Sequence, residues 1–182
     1  ARRGGCAGAP SAGSTARLSV CLDRSRCLLD PLARRLLQSI AVGNDGTFTL
    51  FTSDESILDA LLVLQTDLDG GIVYRSLVIG PSSDGVVFDD LNVDPRSEAA
   101  ARLVAENGPD LFSNAGLREL LDIILAALAN VDFDGLTPQA AVDLALSTAR
   151  QDAAVQTAIA ARRATLPYDI DGLELHITPS IG

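Results

Sequence analysis

Residues 113–129, Ser-Asn-Ala-Gly-Leu-Arg-Glu-Leu-Leu-Asp-Ile-Ile-Leu-Ala-Ala-Leu-Ala, constrain this chain more than any other stretch. Leu117, Leu120, Leu121, Ile124, Leu125 and Leu128 recur at three- and four-residue spacing, the period of a helix that lays one face into a core, and Ile123 widens the stripe. The polar residues Arg118, Glu119 and Asp122 stop after the first turns. The last turn is therefore apolar in almost every direction and predicts protein on several sides. About seven buried aliphatics at ~1.5–3 kcal/mol each would contribute roughly 10–20 kcal/mol gross, so the helix needs no ligand to explain it.

Such a helix belongs in a globular chain rather than in a bilayer. Arg118, Glu119 and Asp122 interrupt the only long apolar run, and Asp132 and Asp134 follow it, so no membrane span is expected. The net charge of −10 conceals an asymmetry, because all 14 basic residues are arginine. Residues 1–40 hold seven arginines against Asp23 and Asp30, a net +5, and residues 41–182 hold seven against 22 carboxylates, a net −15. A body that acidic repels phosphate backbones and argues against nucleic-acid binding. The absence of methionine, at the first position as elsewhere, reads as a fragment or processed chain.

Cys6, Cys21 and Cys27 all lie in the basic front. Three is odd, so one stays unpaired. Free thiols are the favoured reading, a Cys21–Cys27 disulfide in an oxidising compartment is the alternative, and the spacing with distant His176 does not suit zinc. Residues 1–29 are rich in Ala, Gly, Ser and Arg without a sustained period, and low order is expected across residues 1–40. Asp30-Pro31 offers an N-cap and first-turn proline, after which Leu32, Leu36, Leu37 and Ile40 have the spacing of a short amphipathic helix.

From residue 41 the pattern turns to strands. Asn44-Asp45-Gly46 is a turn signal, and residues 47–52 alternate and are rich in β-formers. Residues 61–66 and 72–79 read as two strands of a hairpin turning at residues 67–71; Gly80-Pro81 closes the second, and Val86-Val87-Phe88 makes a fourth short strand, with Leu91 and Val93 leading outward. The run Asn44-Asp45-Gly46-Thr47-Phe48-Thr49-Leu50, the apolar hairpin and Val78-Ile79-Gly80-Pro81 resemble the later strands of bacterial carboxypeptidase-regulatory-like domains, which are transthyretin-like β-sandwiches. The resemblance covers about residues 41–94. It implies a β-sandwich module that is secreted or surface-attached rather than catalytic.

Asp94-Pro95 marks the change to helices. Residues 96–107 form one, with Ala100, Leu103 and Val104 inward and Gly108-Pro109 as its stop. Ser113 caps the central helix. Thr137-Pro138 opens another with Val142, Ala145, Leu146 and Ala149 inward, and Asp152 breaks it and caps a segment carrying Val155, Ala158 and Ile159. Residues 173–178, Leu-Glu-Leu-His-Ile-Thr, alternate like a terminal strand.

Three Asp-x-Asp-Gly clusters, at residues 67–70, 132–135 and 169–172, raise the question of calcium. The best EF-hand frame places Asn130, Asp132, Asp134 and Gly135 in its first six positions, but Pro138 and Ala141 then fall at positions 9 and 12, where ligands are needed. Asp and Gly also dominate turns for conformational reasons, and turns are the preferred reading. His176, the one histidine, stands with Glu174 and Thr178 on the polar side of its strand, and no nucleophile elbow precedes it. Residues 80–85 lack the lysine of a phosphate loop, and with no tryptophan a sugar platform is disfavoured.

The fold expected is α+β: a low-order basic segment at 1–40, a small antiparallel β unit (a partial sandwich) at 41–94, an Ala/Leu-rich helical bundle at 95–166, and a terminal turn and strand at 167–182. The expected function is a non-enzymatic structural or interaction module of an exported or cell-surface bacterial protein, with a protein or cell-envelope partner and no cofactor. A calcium-stabilised binding module using Asn130, Asp132 and Asp134 stands second. A hydrolase built on Asp, Ser and His176 ranks last.

Overall fold

The computed structural model describes residues 2–6, 14–43, 46–50, 52–68, 71–82 and 91–164, and only the backbone for 2–6 and 163–164. Seven strands and four α-helices lie within them: β1 (Arg2–Cys6), β2 (Thr15–Cys21), β3 (Arg34–Ala41), β4 (Thr47–Leu50), β5 (Leu61–Asp67), β6 (Val73–Ile79), β7 (Leu91–Val93), α1 (Pro95–Glu106), α2 (Asn114–Leu128), α3 (Pro138–Gln151) and α4 (Ala153–Ala164). The α+β class expected from the sequence is the class observed.

Pairing is dictated by β5, whose residues Leu61, Leu62, Val63 and Leu64 are all at most 2% exposed. Successive residues of a strand point to opposite faces, so a run like this is buried on both. β5 accordingly lies inside an antiparallel four-stranded sheet of order β3-β2-β5-β6. On one face Leu62 and Leu64 join Ala16, Leu18 and Val20 of β2, Tyr74 and Val78 of β6, and Phe48, Leu50 and Val93 from a second, three-stranded sheet of order β4-β1-β7. On the other face Leu61 and Val63, with Leu77 and Ile79, pack against α1 and α2. The layers are therefore sheet, sheet and helices, and the β unit and the bundle share a core.

Low order was expected across residues 1–40, but those of them that are described supply β1, β2 and all but the last residue of β3. β2 pairs along its length with β3 and β5 and carries three residues of the intersheet core. The helix expected over Leu32, Leu36, Leu37 and Ile40 is strand β3, entered through a 3-10 turn at Pro31–Ala33 that Asp30 caps, its side chain accepting from the Leu32 N–H at 2.9 Å. A bulge explains the misleading spacing. Leu18 lies opposite Gln38 and Ser19 opposite Leu36, so Leu37 is an extra residue. An extra residue shifts the alternation, and Leu37 and Ile40, three apart, both pack on the intersheet core. Leu91 and Val93 do not lead outward but form β7, which runs parallel to β1 with Val93 fully buried. The strand expected at residues 86–88 and the one at 173–178 lie outside the described residues.

Cys21 and Cys27 form a disulfide with their α-carbons 5.5 Å apart, the alternative rather than the favoured reading of these thiols. Cys27 and Leu28 point from this small loop into the helix-facing core. At the far end of the hairpin, the N–H of Gly80 donates to Ala60 O at 2.7 Å, and a β-carbon there would sit 1.6 Å from the carbonyl oxygen of Ile57. Only glycine fits that approach.

Local capping chemistry starts the helices where the sequence places them. Asp94 and Ser97 close a capping box before α1, each side chain accepting the other's backbone N–H at 2.9 Å. Ser113, Thr137 and Asp152 cap α2, α3 and α4 through the N–H groups of Gly116, Ala140 and both Ala154 and Val155. Gly108 ends the α1 segment at φ 75. The most enclosed helix is α1, buried at Pro95, Ser97, Glu98, Ala99, Ala100, Ala101, Leu103 and Val104, whereas α2 buries Leu117, Leu120, Leu121, Ile124 and Leu128 and leaves Leu125 40% exposed. The last turn of α2 thus has an open side, because its stripe is covered by the sheet, α1, α3 and α4 but not at Leu125.

Candidate functional site

That open side of α2 is one wall of a cleft of about 440 Å³. Residues 76–79 of β6 form its floor, Leu91 and Asn92 of β7 and the first turn of α1 form one rim, and Arg118, Leu121, Asp122 and Leu125 of α2 form the other. The floor is an edge strand, since among the described residues β6 pairs only with β5.

The hydrogen-bond pattern fixes which backbone groups face the cleft. The N–H of Arg75 does not enter the sheet but donates to Glu98 Oε2 at 2.9 Å. In an antiparallel ladder, residues alternate between those bonded to the neighbouring strand and those pointing away, so Leu77 and Ile79 aim their N–H and C=O groups outward as Arg75 does. A single buried carboxylate thus takes the outward N–H of Arg75, and the next two outward residues along the strand face the cleft. Arg118 Nη2 donates to Gly80 O at 3.3 Å and pins the end of β6 to α2.

Charge is concentrated around this floor. Glu98 is 1% exposed and accepts from Arg75 Nε at 3.0 Å, Arg75 Nη2 at 2.7 Å and Arg102 Nε at 2.8 Å, while Arg75 Nη1 donates to Leu28 O. The cluster joins β6, α1 and the disulfide loop. Tyr74, beside it on β6, has its phenol pushed above the ordinary value of 10.0 by burial, with the carboxylates of Asp94 and Glu98 adding to the shift. Arg96 caps the other end of α2, donating from Nε to Leu128 O at 3.0 Å and from Nη2 to Val131 O at 2.8 Å, and its guanidinium lies 4.7 Å from the Phe133 ring centroid.

The calcium candidates lie elsewhere, in the exposed loop between α2 and α3. Asn130, Asp132 and Asp134 are all exposed there. Asp132 Oδ1 accepts the backbone N–H of Asp134 at 2.9 Å, and Gly135 follows at φ 74, which is the conformational use of Asp and Gly in a turn. Among the described residues no three His, Cys, Asp or Glu side chains are grouped to hold a metal ion. Of the cluster at residues 67–70, Asp67 pairs with Arg17 at 2.5 Å. Residues 69, 70 and 169–172 and His176 lie outside the described residues.

No motif in the sequence points to the cleft or to the Glu98 cluster. One signal is present: Arg75 is the one charged residue in a mostly apolar strand, and an arginine with 16% side-chain exposure requires a partner. Nothing local names Glu98 as that partner, 23 residues away. No protein-family model, curated protein or solved structure matches this chain.

Proposed function

We propose that the chain is a non-enzymatic interaction module of an exported, surface-associated bacterial protein, and that the cleft beside β6 receives an extended segment of a partner protein as an added strand. The observation that carries this reading is the floor of the cleft, where the outward backbone groups of Leu77 and Ile79 are left to it after Glu98 has taken the N–H of Arg75. Residues 76–79 offer about 13 Å of strand edge at ~3.3 Å per residue, and Leu121 and Leu125 supply an apolar wall for alternate side chains. The Cys21–Cys27 disulfide supports an oxidising compartment. The two facing sheets support the carboxypeptidase-regulatory-like resemblance of the β unit.

The test uses synthetic heptapeptides that alternate aliphatic and polar residues, added to the full chain while amide hydrogen exchange is followed by NMR. Slower exchange at the Leu77 and Ile79 amides, abolished by Leu125→Arg in the cleft wall, is the expected result. If no peptide slows those two amides, or if Leu125→Arg leaves the slowing intact, this reading fails.

A further inference from the structure

The β6 edge has a segment of its own chain within reach. α4 ends at Ala164 beside the start of α2: the Arg162 guanidinium lies 5.7 Å from the Phe112 ring centroid, and a β-carbon on Gly116 would sit 3.3 Å from Arg162 Cζ. The start of α2 also holds the Gly80 end of β6. Arg118 donates to Gly80 O, and Asn114 Nδ2 donates at 2.8 Å to Asp59 O, next to Ala60, whose carbonyl takes the Gly80 N–H. The end of α4 and the end of the cleft floor thus meet the same first turn of helix.

The link between them is long enough. Gly116 and Arg118 lie about 200° apart around α2, so a chain leaving α4 for the cleft has to round a helix roughly 10–12 Å across. Residues 165–172 span up to roughly 26 Å at ~3.3 Å per residue. Beyond them Leu173, Leu175 and Ile177 alternate with Glu174, His176 and Thr178, the pattern of a strand with one apolar face.

We propose that residues 173–178 of this chain are the resident strand of the cleft, an internal competitor that a partner segment must displace. The inference rests on the reading of the β6 edge as a strand acceptor and adds its regulation. A segment arriving at the Gly80 end runs antiparallel to β6, with Leu173 opposite Ile79 and Leu175 opposite Leu77. Opposite residues share a face, and Leu77 and Ile79 face the helices, so both added leucines fall on the side of Leu121 and of Leu125, which is 40% exposed. A one-residue slip would put Glu174 and His176 there instead. Pairing stops before Ile177, which falls opposite Arg75, because Glu98 already holds the Arg75 N–H. Pairing this short is marginal, so a fraction of the molecules keeps an open edge and an excess of peptide still slows the same two amides.

Amide exchange of the full chain, followed by NMR with and without the heptapeptides, tests this against a variant carrying Leu173→Asp and Leu175→Asp. Without peptide, Leu77 and Ile79 should exchange at least about twofold faster in the variant. Its peptide concentration at half-saturation should fall by at least about the same factor, as follows when the segment holds about half of the molecules or more. The β5 amides should exchange alike in both proteins, which shows the fold intact. In the parent, an NOE should join the α-protons of Val78 and Glu174, the close pair of this register. The inference is overturned if the two amides exchange equally in parent and variant, if that NOE is absent, or if the protection fades on dilution, which would give the strand to a second copy. Equal peptide binding by both proteins sinks the internal strand and leaves the cleft as a partner site. Amides that are fast in the variant and that no peptide slows do the reverse.

Discussion

β3 and β6 are the two edges of one antiparallel sheet, and they guard their unpaired backbone groups in opposite ways. β3 lies in solvent and carries Arg34, half-exposed Arg35 and a bulge, the usual devices against edge-to-edge pairing. β6 is covered at Arg75, whose outward N–H is taken by the carboxylate of Glu98, a side chain only 2% exposed, and opens to the cleft along residues 76–79. An exposed edge can be blunted with charges that stay hydrated and contribute little. A covered edge must satisfy its polar groups inside the protein, so each partner there matters more. The difference also explains why the added strand is proposed at β6, along residues 76–79, rather than at β3.

The sharpest way to break that asymmetry is Glu98→Ala. It leaves Arg75 largely buried and removes the acceptor of an edge N–H, so unfolding in urea should show a loss of about 3–5 kcal/mol, whereas Asp54→Ala beside Arg35 at the β3 edge should cost little. Next comes the disulfide that shapes the β3 end. Replacing Cys21 and Cys27 with serine together reopens a loop of sequence separation 6, for which chain entropy gives about 2–3 kcal/mol, measurable by the same titration.

The smallest effects separate the edges by pH. Hydrogen bonds from Arg35, then from Ser56, hold the Asp54 carboxyl well below its ordinary 3.8. Its contribution is therefore present above that value and is lost as the pH falls below it and the native carboxylate becomes protonated. Tyr74 has the opposite sign. Its phenol titrates above 10.0 in the folded chain, so the unfolded chain releases the proton first and stability declines as the pH rises past that value. Asp54→Asn should flatten the acid limb of a stability–pH curve and Tyr74→Phe the alkaline limb. A shared response of both limbs to either variant would contradict the assignment.

Much of this fold can be read directly from the residues, for a reason visible at each helix start. The caps at Asp94, Ser113, Thr137 and Asp152 are bonds to N–H groups two or three residues away, so a short window contains the whole interaction. Strands β4, β5 and β6 are legible through composition and alternation. β3 is not, because the bulge at Leu37 spaces two inward residues as a helix would. β2 has the right alternation in Ala16, Leu18 and Val20, but only three such residues, set in a Gly-, Ser- and Arg-rich segment, carry it. Asn130, Asp132 and Asp134 were legible as a turn, and the structure places them in one.

The cleft is illegible for a different reason: its floor exists only because β6 ends up outermost, a consequence of strand order rather than of any residue in β6. The sequence by itself determined the helix starts, the strand character of β5 and β6 and the stop at Gly80-Pro81. Tertiary structure alone decided that the basic front would supply three strands and that Arg75 would meet a carboxylate 23 residues away. Caps and alternation act between neighbours and are encoded locally. Edge position and buried charge pairing depend on which distant segments meet, and only the folded chain brings them together.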